Sequence, residues 1–486
     1  MASPLFVLFG ATGDLAAVKL FPALYRVTQR DHVPDPVVLG VGRSAWDDAR
    51  LQRAAVASLT EAEVSEADAR AWAERTLAFA RVSAYDDLAP VTEAAERLEA
   101  ERGLSGDRVY YLSLPPSTFP GTIAAIGEHE AARGTLGEHV ADDAPYVRLV
   151  IEKPFGTDLA SAQDLNAVVH EHFPEEVVYR IDHYLGKETV QNLLVFRFAN
   201  AFFESSWNRQ SIERVEITVA ETNDAEGRAG YFDTSGTLRD MIQNHLTQLF
   251  ALAAMEPPAR LDAEGIRREK IKVLRSTRTA RSNEVVFGQY GSGPDDPEAY
   301  RDHDGVPKGS TTETFAAIRL HLDNWRWQGV PFVLRTGKRM PTRLTEIAVV
   351  FRRPPVTLFQ TAGNCEPARN VLRIRLQPDE GFQLSFDVKT PGSGFDVITR
   401  DLTFRYEDEF GRFPDAYETL IEDIFEGDPT LFVHGEEAEE AWRIYGAILD
   451  NDTIEVHPYA SRTWGPEAAD RLVEAPPAAE AEPVDC

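Results

Sequence analysis

The chain opens on a short apolar run, Leu5 to Phe9, that breaks into Gly10-Ala11-Thr12-Gly13-Asp14-Leu15-Ala16, after which Val18, Leu20, Phe21 and Leu24 set a helical apolar pattern. A strand turning through glycine into a helix is the start of a βαβ unit, and few folds accommodate it. The glycines let the backbone approach a pyrophosphate, and the helix N-terminus offers it amides and a partial positive charge. Because the spacing is G-x-x-G-x-x-A and not G-x-G-x-x-G, the motif needs support from residues further along the chain. Pro22, which lacks a donor, is expected to kink or restart the helix.

That support comes from repetition. Val37–Gly42 is a second apolar run, ending on Arg43 where an NAD enzyme would place an acid on the ribose; an arginine there pairs with a 2′-phosphate and points to NADP. Residues 47–103 carry helical periodicity. Val109–Leu114 closes on Pro115-Pro116, where a rigid or cis peptide is expected to shape a cofactor cleft. Val147–Ile151 delivers Glu152-Lys153-Pro154-Phe155-Gly156, and Asp158 is placed to cap a helix from Leu159 to about His172. Apolar runs alternating with helices predict a doubly wound parallel sheet of Rossmann type over residues 1–180.

Beyond that point the texture changes. Arg214–Thr222 alternates as a strand, Gly236–Ala254 reads as a single helix carrying His245, and residues 312–410 hold several strands without intervening helices. Residues 181–474 are therefore expected to form an α+β domain with a large, mainly antiparallel sheet, and residues 475–486 a disordered tail. Ser292–Lys308, rich in Gly, Pro and Asp, reads as an excursion.

Between the two textures lies Arg180-Ile181-Asp182-His183-Tyr184-Leu185-Gly186-Lys187-Glu188. Composition alone leaves a solvated loop as an even alternative. An acid, an imidazole, a phenol and an ammonium at the end of an apolar run nevertheless suit a pocket rim, since ligands of open α/β sheets bind outside the carboxyl ends of the strands.

Composition narrows the function. A formal charge of −29 excludes general nucleic-acid or anionic-membrane binding, and no stretch reaches membrane length. An anionic substrate would need local cations, and the chain has only eight lysines among its fifty basic residues. Four of them, Lys19, Lys153, Lys187 and Lys338, fall in the motifs, where a compact ammonium is favoured over a planar fork. The two cysteines, Cys365 and Cys486, have no metal-ligand spacing and suggest a reducing compartment, hence the cytoplasm. No metal site is expected.

Asp182-His183-Tyr184-Leu185-Gly186-Lys187-Glu188 resembles the signature of the glucose-6-phosphate dehydrogenase family. Further similar stretches are Gly10–Lys19, Tyr111–Pro116, Glu152–Gly156, Gly227–Phe232, Arg239–Leu246, Val330–Lys338, Asp415–Asp423 and Glu440–Tyr445. The resemblance implies oxidation of D-glucose 6-phosphate at C1 to 6-phosphogluconolactone with hydride transfer to NADP, the first step of the pentose phosphate pathway. It assigns His245 as general base and Asp182 as the carboxylate that orients it. Substrate contacts carry over to Lys153, His183, Tyr184, Lys187, Glu221, Asp240, Lys338, Arg343 and Gln377, with His183, Tyr184 and Lys187 on the phosphate. Cofactor contacts carry over to Gly10, Ala11, Thr12, Gly13, Asp14, Leu15, Arg43, Tyr111 and Lys153, with Lys19 near the cleft. Leu344 and Ala348 stand where some members place basic residues around a second, structural NADP, so no such site is expected. A homodimer or homotetramer is the expected assembly. Asp240 and His245 lie about 140° apart on a regular α-helix, so placing both in one pocket rests on the resemblance. The alternatives are a relative acting on another aldose or aldose phosphate, with NAD allowed, and a silent NADP-binding protein on the same fold.

Overall fold

A computed structural model describes residues 3–137, 144–224, 229–293, 298–356, 358–359, 368–392, 395–411, 413–449 and 451–473. Cys365, Cys486, Gly227 and the tail 475–486 lie outside these residues. The described chain divides into two compact units. The first comprises Met1–Lys187, Arg260–Arg267 and Pro414–Glu439; the second comprises Glu188–Ala259, Arg268–Phe413 and Glu440–Cys486.

The first unit is built on β1 (Leu5–Phe9), β2 (Val37–Gly42), β3 (Leu77–Arg81), β4 (Arg108–Leu112), β5 (Val147–Glu152) and β6 (Val178–Ile181), all parallel, in the order β3-β2-β1-β4-β5-β6. This is the Rossmann order, with its reversal between β1 and β4. Strands β1, β2 and β4 are buried along their whole length, as parallel strands covered on both faces must be. Helix Leu159–His172 begins at the predicted cap: Ser161 donates its amide to the Asp158 carboxylate at 2.8 Å.

Two features of this unit were not anticipated. The first helix starts as a π-helical turn, Ala16–Leu20, and becomes α-helical at Phe21–Val27 with Pro22 in its first turn. A proline that cannot donate to the turn behind it tolerates such widening. Leu20, Phe21 and Leu24 face the core, while Val18 lies outside the stripe, in solvent. The second is a late return of the chain. Helix Ala416–Glu426 contributes Tyr417, Leu420, Ile421, Ile424 and Phe425 to the core formed by Phe6, Phe21, Leu24 and Val27.

The second unit holds β7 (Ile212–Ala220), β8 (Val285–Gly291), β9 (Phe315–Leu320), β10 (Phe332–Gly337), β11 (Leu344–Phe351), β12 (Val371–Gln377), β13 (Gly381–Lys389), β14 (Val397–Arg405) and β15 (Val456–Ala460). They make one nine-stranded sheet, β14-β13-β12-β11-β7-β10-β9-β8-β15. Its pairs are antiparallel except β7 with β10 and β8 with β15. The expected alternation of β7 is absent because the strand is central and covered on both faces; all but one of its residues are buried. No helix among the described residues is long and apolar enough to cross a membrane.

Candidate active site

In the first unit the parallel register decides which residues meet. Phe9 lies beside Val41 and Leu112, Leu112 beside Ile151, and Glu152 beside Ile181. The residues just past these strand ends, Gly10, Arg43, Ser113, Lys153 and Asp182, therefore emerge along one carboxyl edge, where α/β sheets hold ligands. Gly10 has φ +81°, and a Cβ there would fall 2.0 Å from the Ser113 carbonyl oxygen. No other residue type allows the turn to pass so near β4. The Gly10 amide donates to Val41 at 2.9 Å, drawing the turn onto β2, so that Ala11 and Thr12 lie buried and half-buried while Gly13 and Asp14 are exposed before the helix. Leu15 packs on the core. The exposed Arg43 guanidinium stands 5.3 Å from the Tyr85 ring centroid. A close-approach glycine turn, a helix N-terminus and an exposed arginine at the adjacent strand end fit a dinucleotide carrying a 2′-phosphate.

Tyr111 lies in β4, one residue before its carboxyl end. It is fully buried among Phe6 and its neighbours, and its hydroxyl donates to Glu152 Oε1 at 2.5 Å. Tyr417 hydrogen-bonds the same carboxylate. Burial pushes the Glu152 pKa up to about 7; the two phenols and the Lys153 charge pull against that rise and Asp182 adds to it. Tyr111 thus helps to hold Glu152, next to Lys153. Sequence reasoning passed over Glu152 and Tyr417, although both sit inside motif stretches. Among the described residues the cis peptide is the one before Pro154 and not Pro115-Pro116; Pro116 opens a 3₁₀ turn leading into helix Phe119–Arg133. Lys19 pairs with Asp415 at 2.8 Å.

The stretch after β6 is a tight loop and not a solvated one. Asp182 is buried and accepts the Tyr184 amide at 3.0 Å through its carboxylate and the Leu185 amide at 3.0 Å through its carbonyl. This doubles the chain back so that the Lys187 ammonium lies 3.7 Å from the Tyr184 ring centroid, and His183 stacks at 6.2 Å on Tyr417. The fold thereby gathers His183, Tyr184 and Lys187, the three residues expected on a phosphate.

In the second unit the register again does the gathering. Gly337 pairs with Ala220 in the parallel β7–β10 ladder, so the next residues, Lys338 and Glu221, emerge together, their side chains bridged at 2.9 Å. Leu344 pairs with Ala220 and Thr345 with Gln377, which brings Arg343 and Gln377 to the same end of the sheet; the Arg343 guanidinium reaches Gln377 Oε1 at 3.5 Å. Leu344 and Ala348 are buried in β11.

The helix expected over residues 236–254 is continuous from Thr237 but irregular. Gly236 takes φ +67° and ψ 172°; Leu238–Leu246 is π-helical and Thr247–Ala254 α-helical. In a π-helix each turn closes between residues five apart. Asp240 and His245 are five apart and so share a face, which the regular-helix reading did not allow. Side chains support the wider turn: Asn244 donates to the Arg239 carbonyl at 3.2 Å and Thr247 to the Ile242 carbonyl at 2.6 Å, each reaching five residues back. His245 is 1 % exposed.

The Rossmann sheet with its phosphate-fitting glycine turn defines a dinucleotide-binding unit, and the second unit carries a buried histidine on a widened helix. The family descriptions "Glucose-6-phosphate dehydrogenase, NAD binding domain" and "Glucose-6-phosphate dehydrogenase, C-terminal domain" match residues 7–192 and 194–478. The chain belongs to the glucose-6-phosphate dehydrogenase family, whose cofactor is NADP. It is 41 % identical over 480 residues to glucose-6-phosphate 1-dehydrogenase of Aggregatibacter actinomycetemcomitans, covering 96 % of this chain and 95 % of that one. Over 476 residues it is 43 % identical to glucose-6-phosphate 1-dehydrogenase 2 of Mycobacterium tuberculosis, covering 95 % and 91 %. A solved glucose-6-phosphate dehydrogenase in complex with its substrate glucose 6-phosphate superposes with a TM-score of 0.87 at 32 % identity over 97 % of both chains. The Mycobacterium avium enzyme superposes at 0.82, also at 32 % identity, over 98 % of both.

Proposed function

We propose that this chain oxidises the C1 hydroxyl of D-glucose 6-phosphate to 6-phosphogluconolactone, with His245 as general base and Asp182 as its orienting carboxylate. NADP, when bound, supplies the nicotinamide that accepts the C1 hydride. His245 takes the hydroxyl proton, work suited to an imidazole because its pKa lies near neutrality. A carboxylate on the other ring nitrogen would fix the tautomer and stabilise the imidazolium. His183, Tyr184 and Lys187 hold the substrate phosphate, so that remote binding energy positions C1. Lys153, Glu221, Asp240, Lys338, Arg343 and Gln377 bind the sugar. Gly10 to Leu15, Arg43, Tyr111 and Lys153 hold the dinucleotide.

The observation that carries this reading is the π-helical segment, which sets Asp240 and His245 on one face. The relatives' names and the substrate-bound neighbour support the choice of sugar phosphate. His245→Asn is expected to lower kcat by about 10²–10⁴ while the Kd for glucose 6-phosphate stays near wild type. A kcat within tenfold of wild type removes His245 from the base role. Initial rates with NADP against NAD, and glucose 6-phosphate against glucose, test substrate and cofactor together. Cysteine usage supports a cytoplasmic location, and family resemblance a homodimer or homotetramer; sedimentation of the purified chain reads out the assembly.

A further inference from the structure

The π-helical segment has a defined beginning. Three hydrogen bonds from the two residues after Gly236 converge on Glu313. The Thr237 amide and hydroxyl donate to its carbonyl at 3.1 and 3.0 Å, and the Leu238 amide donates to its Oε1 at 2.9 Å. The first amides of a helix have no partner within it, and an anion there opposes the helix dipole favourably. Enclosure raises the Glu313 pKa, and the Leu238 amide and the Arg239 charge only partly offset that rise. The approach requires the glycine as well, because a Cβ on Gly236 would lie 2.4 Å from Glu313 Oε1.

Glu313 is itself fixed. It stands two residues before β9, and the intervening Thr314 donates its amide to the Gly288 carbonyl at 2.8 Å. The Thr314 carbonyl in turn accepts the Lys338 amide at 2.9 Å. The Glu313-Thr314 dipeptide thus ties the start of the segment bearing Asp240 and His245 to the strand end bearing Lys338.

We propose that Glu313 is a positioning residue for the reaction, setting where the π-helical segment begins and hence the alignment of His245 and Asp240 with Lys338. The proposal rests on the catalytic and sugar-binding roles proposed for His245 and Asp240. Glu313 touches no reacting atom; it acts through the helix it caps.

The test compares Glu313→Ala, Glu313→Asp, Glu313→Gln and Gly236→Ala by kcat, KM for glucose 6-phosphate, Kd for NADP and Tm in the full-length chain. Glu313→Ala and Gly236→Ala are expected to lower kcat by about tenfold or more, since small misplacements of reacting groups carry large rate costs. Their NADP affinity should not change, because the dinucleotide residues belong to the first unit. Glu313→Gln, which keeps an acceptor at Oε1, should restore kcat to within about threefold of wild type if geometry and not charge is what Glu313 supplies. Glu313→Asp, which keeps the charge but shortens the reach, should stay slow, and it serves if alanine does not fold. The proposal is overturned if a folded Glu313→Ala or Glu313→Asp keeps kcat within about twofold of wild type. It is equally overturned if kcat, NADP affinity and Tm fall together in every variant. His245→Asn in the same assay separates the two readings: a normal kcat there sinks the base assignment, whereas a slow His245→Asn beside a normal Glu313→Ala sinks the positioning role alone.

Discussion

The Lys338 ammonium donates to the Glu221 carboxylate at 2.9 Å across the ends of two parallel strands, and neither side chain is fully withdrawn from solvent. Lys338→Met should raise KM for glucose 6-phosphate by about tenfold, because it leaves a carboxylate uncompensated beside an anionic substrate. Glu221→Gln should be milder. A double-mutant cycle on KM is expected to show coupling of about 0.5–3 kcal/mol; strict additivity would mean that the pair does not act as a unit.

Arg43 is exposed at the end of β2, where its loss costs the fold little. Arg43→Ala should weaken NADP binding by about 1.5–3 kcal/mol, the worth of a charge-assisted hydrogen bond, and leave NAD binding nearly unchanged. Titrating both cofactors by fluorescence checks this. Equal losses would reduce Arg43 to a support for its loop.

For Lys187 the discriminating comparison is between substrates. Lys187→Ala should raise KM for glucose 6-phosphate by about tenfold or more, while activity on free glucose changes little. Lys187→Arg should also be impaired, since a planar fork does not replace a compact ammonium seated over the Tyr184 ring. Proportional losses on both sugars would place Lys187 in the chemistry or the fold.

Glu152 gives a stability prediction with a definite sign. Its folded pKa of about 7 exceeds the ordinary 4.5, so between these values the folded chain keeps a proton that the unfolded chain has lost. Stability contributed by this group is complete below about pH 4.5 and declines as pH rises toward 7, by at most about 3 kcal/mol. Glu152→Gln removes the titration while keeping partners for Tyr111 and Tyr417. Its Tm relative to wild type should therefore climb across that window, and parallel Tm curves would contradict the assignment.

Much of the first unit was legible because its signals are local. The apolar runs, the Gly10–Gly13 turn and the Asp158 cap each fall where the structure has them. Strand ends were legible too, and with them the gathering of His183, Tyr184 and Lys187. Periodicity could not disclose the π-helical turn, because apolar spacing records neither the non-helical Gly236 at its start nor the cap from Glu313, distant in sequence. A trace of it was present in Asn244 and Thr247, short polar side chains able to reach a carbonyl five residues back. The acceptor of Tyr111 was not legible for a related reason: Glu152 lies on the neighbouring strand, and only the fold brings it to the phenol.

The helix Ala416–Glu426 has a consequence for biosynthesis. Its apolar face fills a core that Phe6, Phe21 and Leu24 begin, so the unit at the N-terminus is the one that waits longest for its last piece. Domains commonly fold as they leave the ribosome, the N-terminal one first, but here the opening unit stays incomplete until most of the chain has been translated. A nascent chain stalled after Lys187 would hold its glycine turn and strands over an unfilled apolar surface, a natural client for chaperones. Closing the contact between Phe6 and Phe425, whose ring centroids stand 5.8 Å apart, also spans a very long loop, and contacts of such sequence separation slow folding because the entropy of closing the loop is lost before the contact forms.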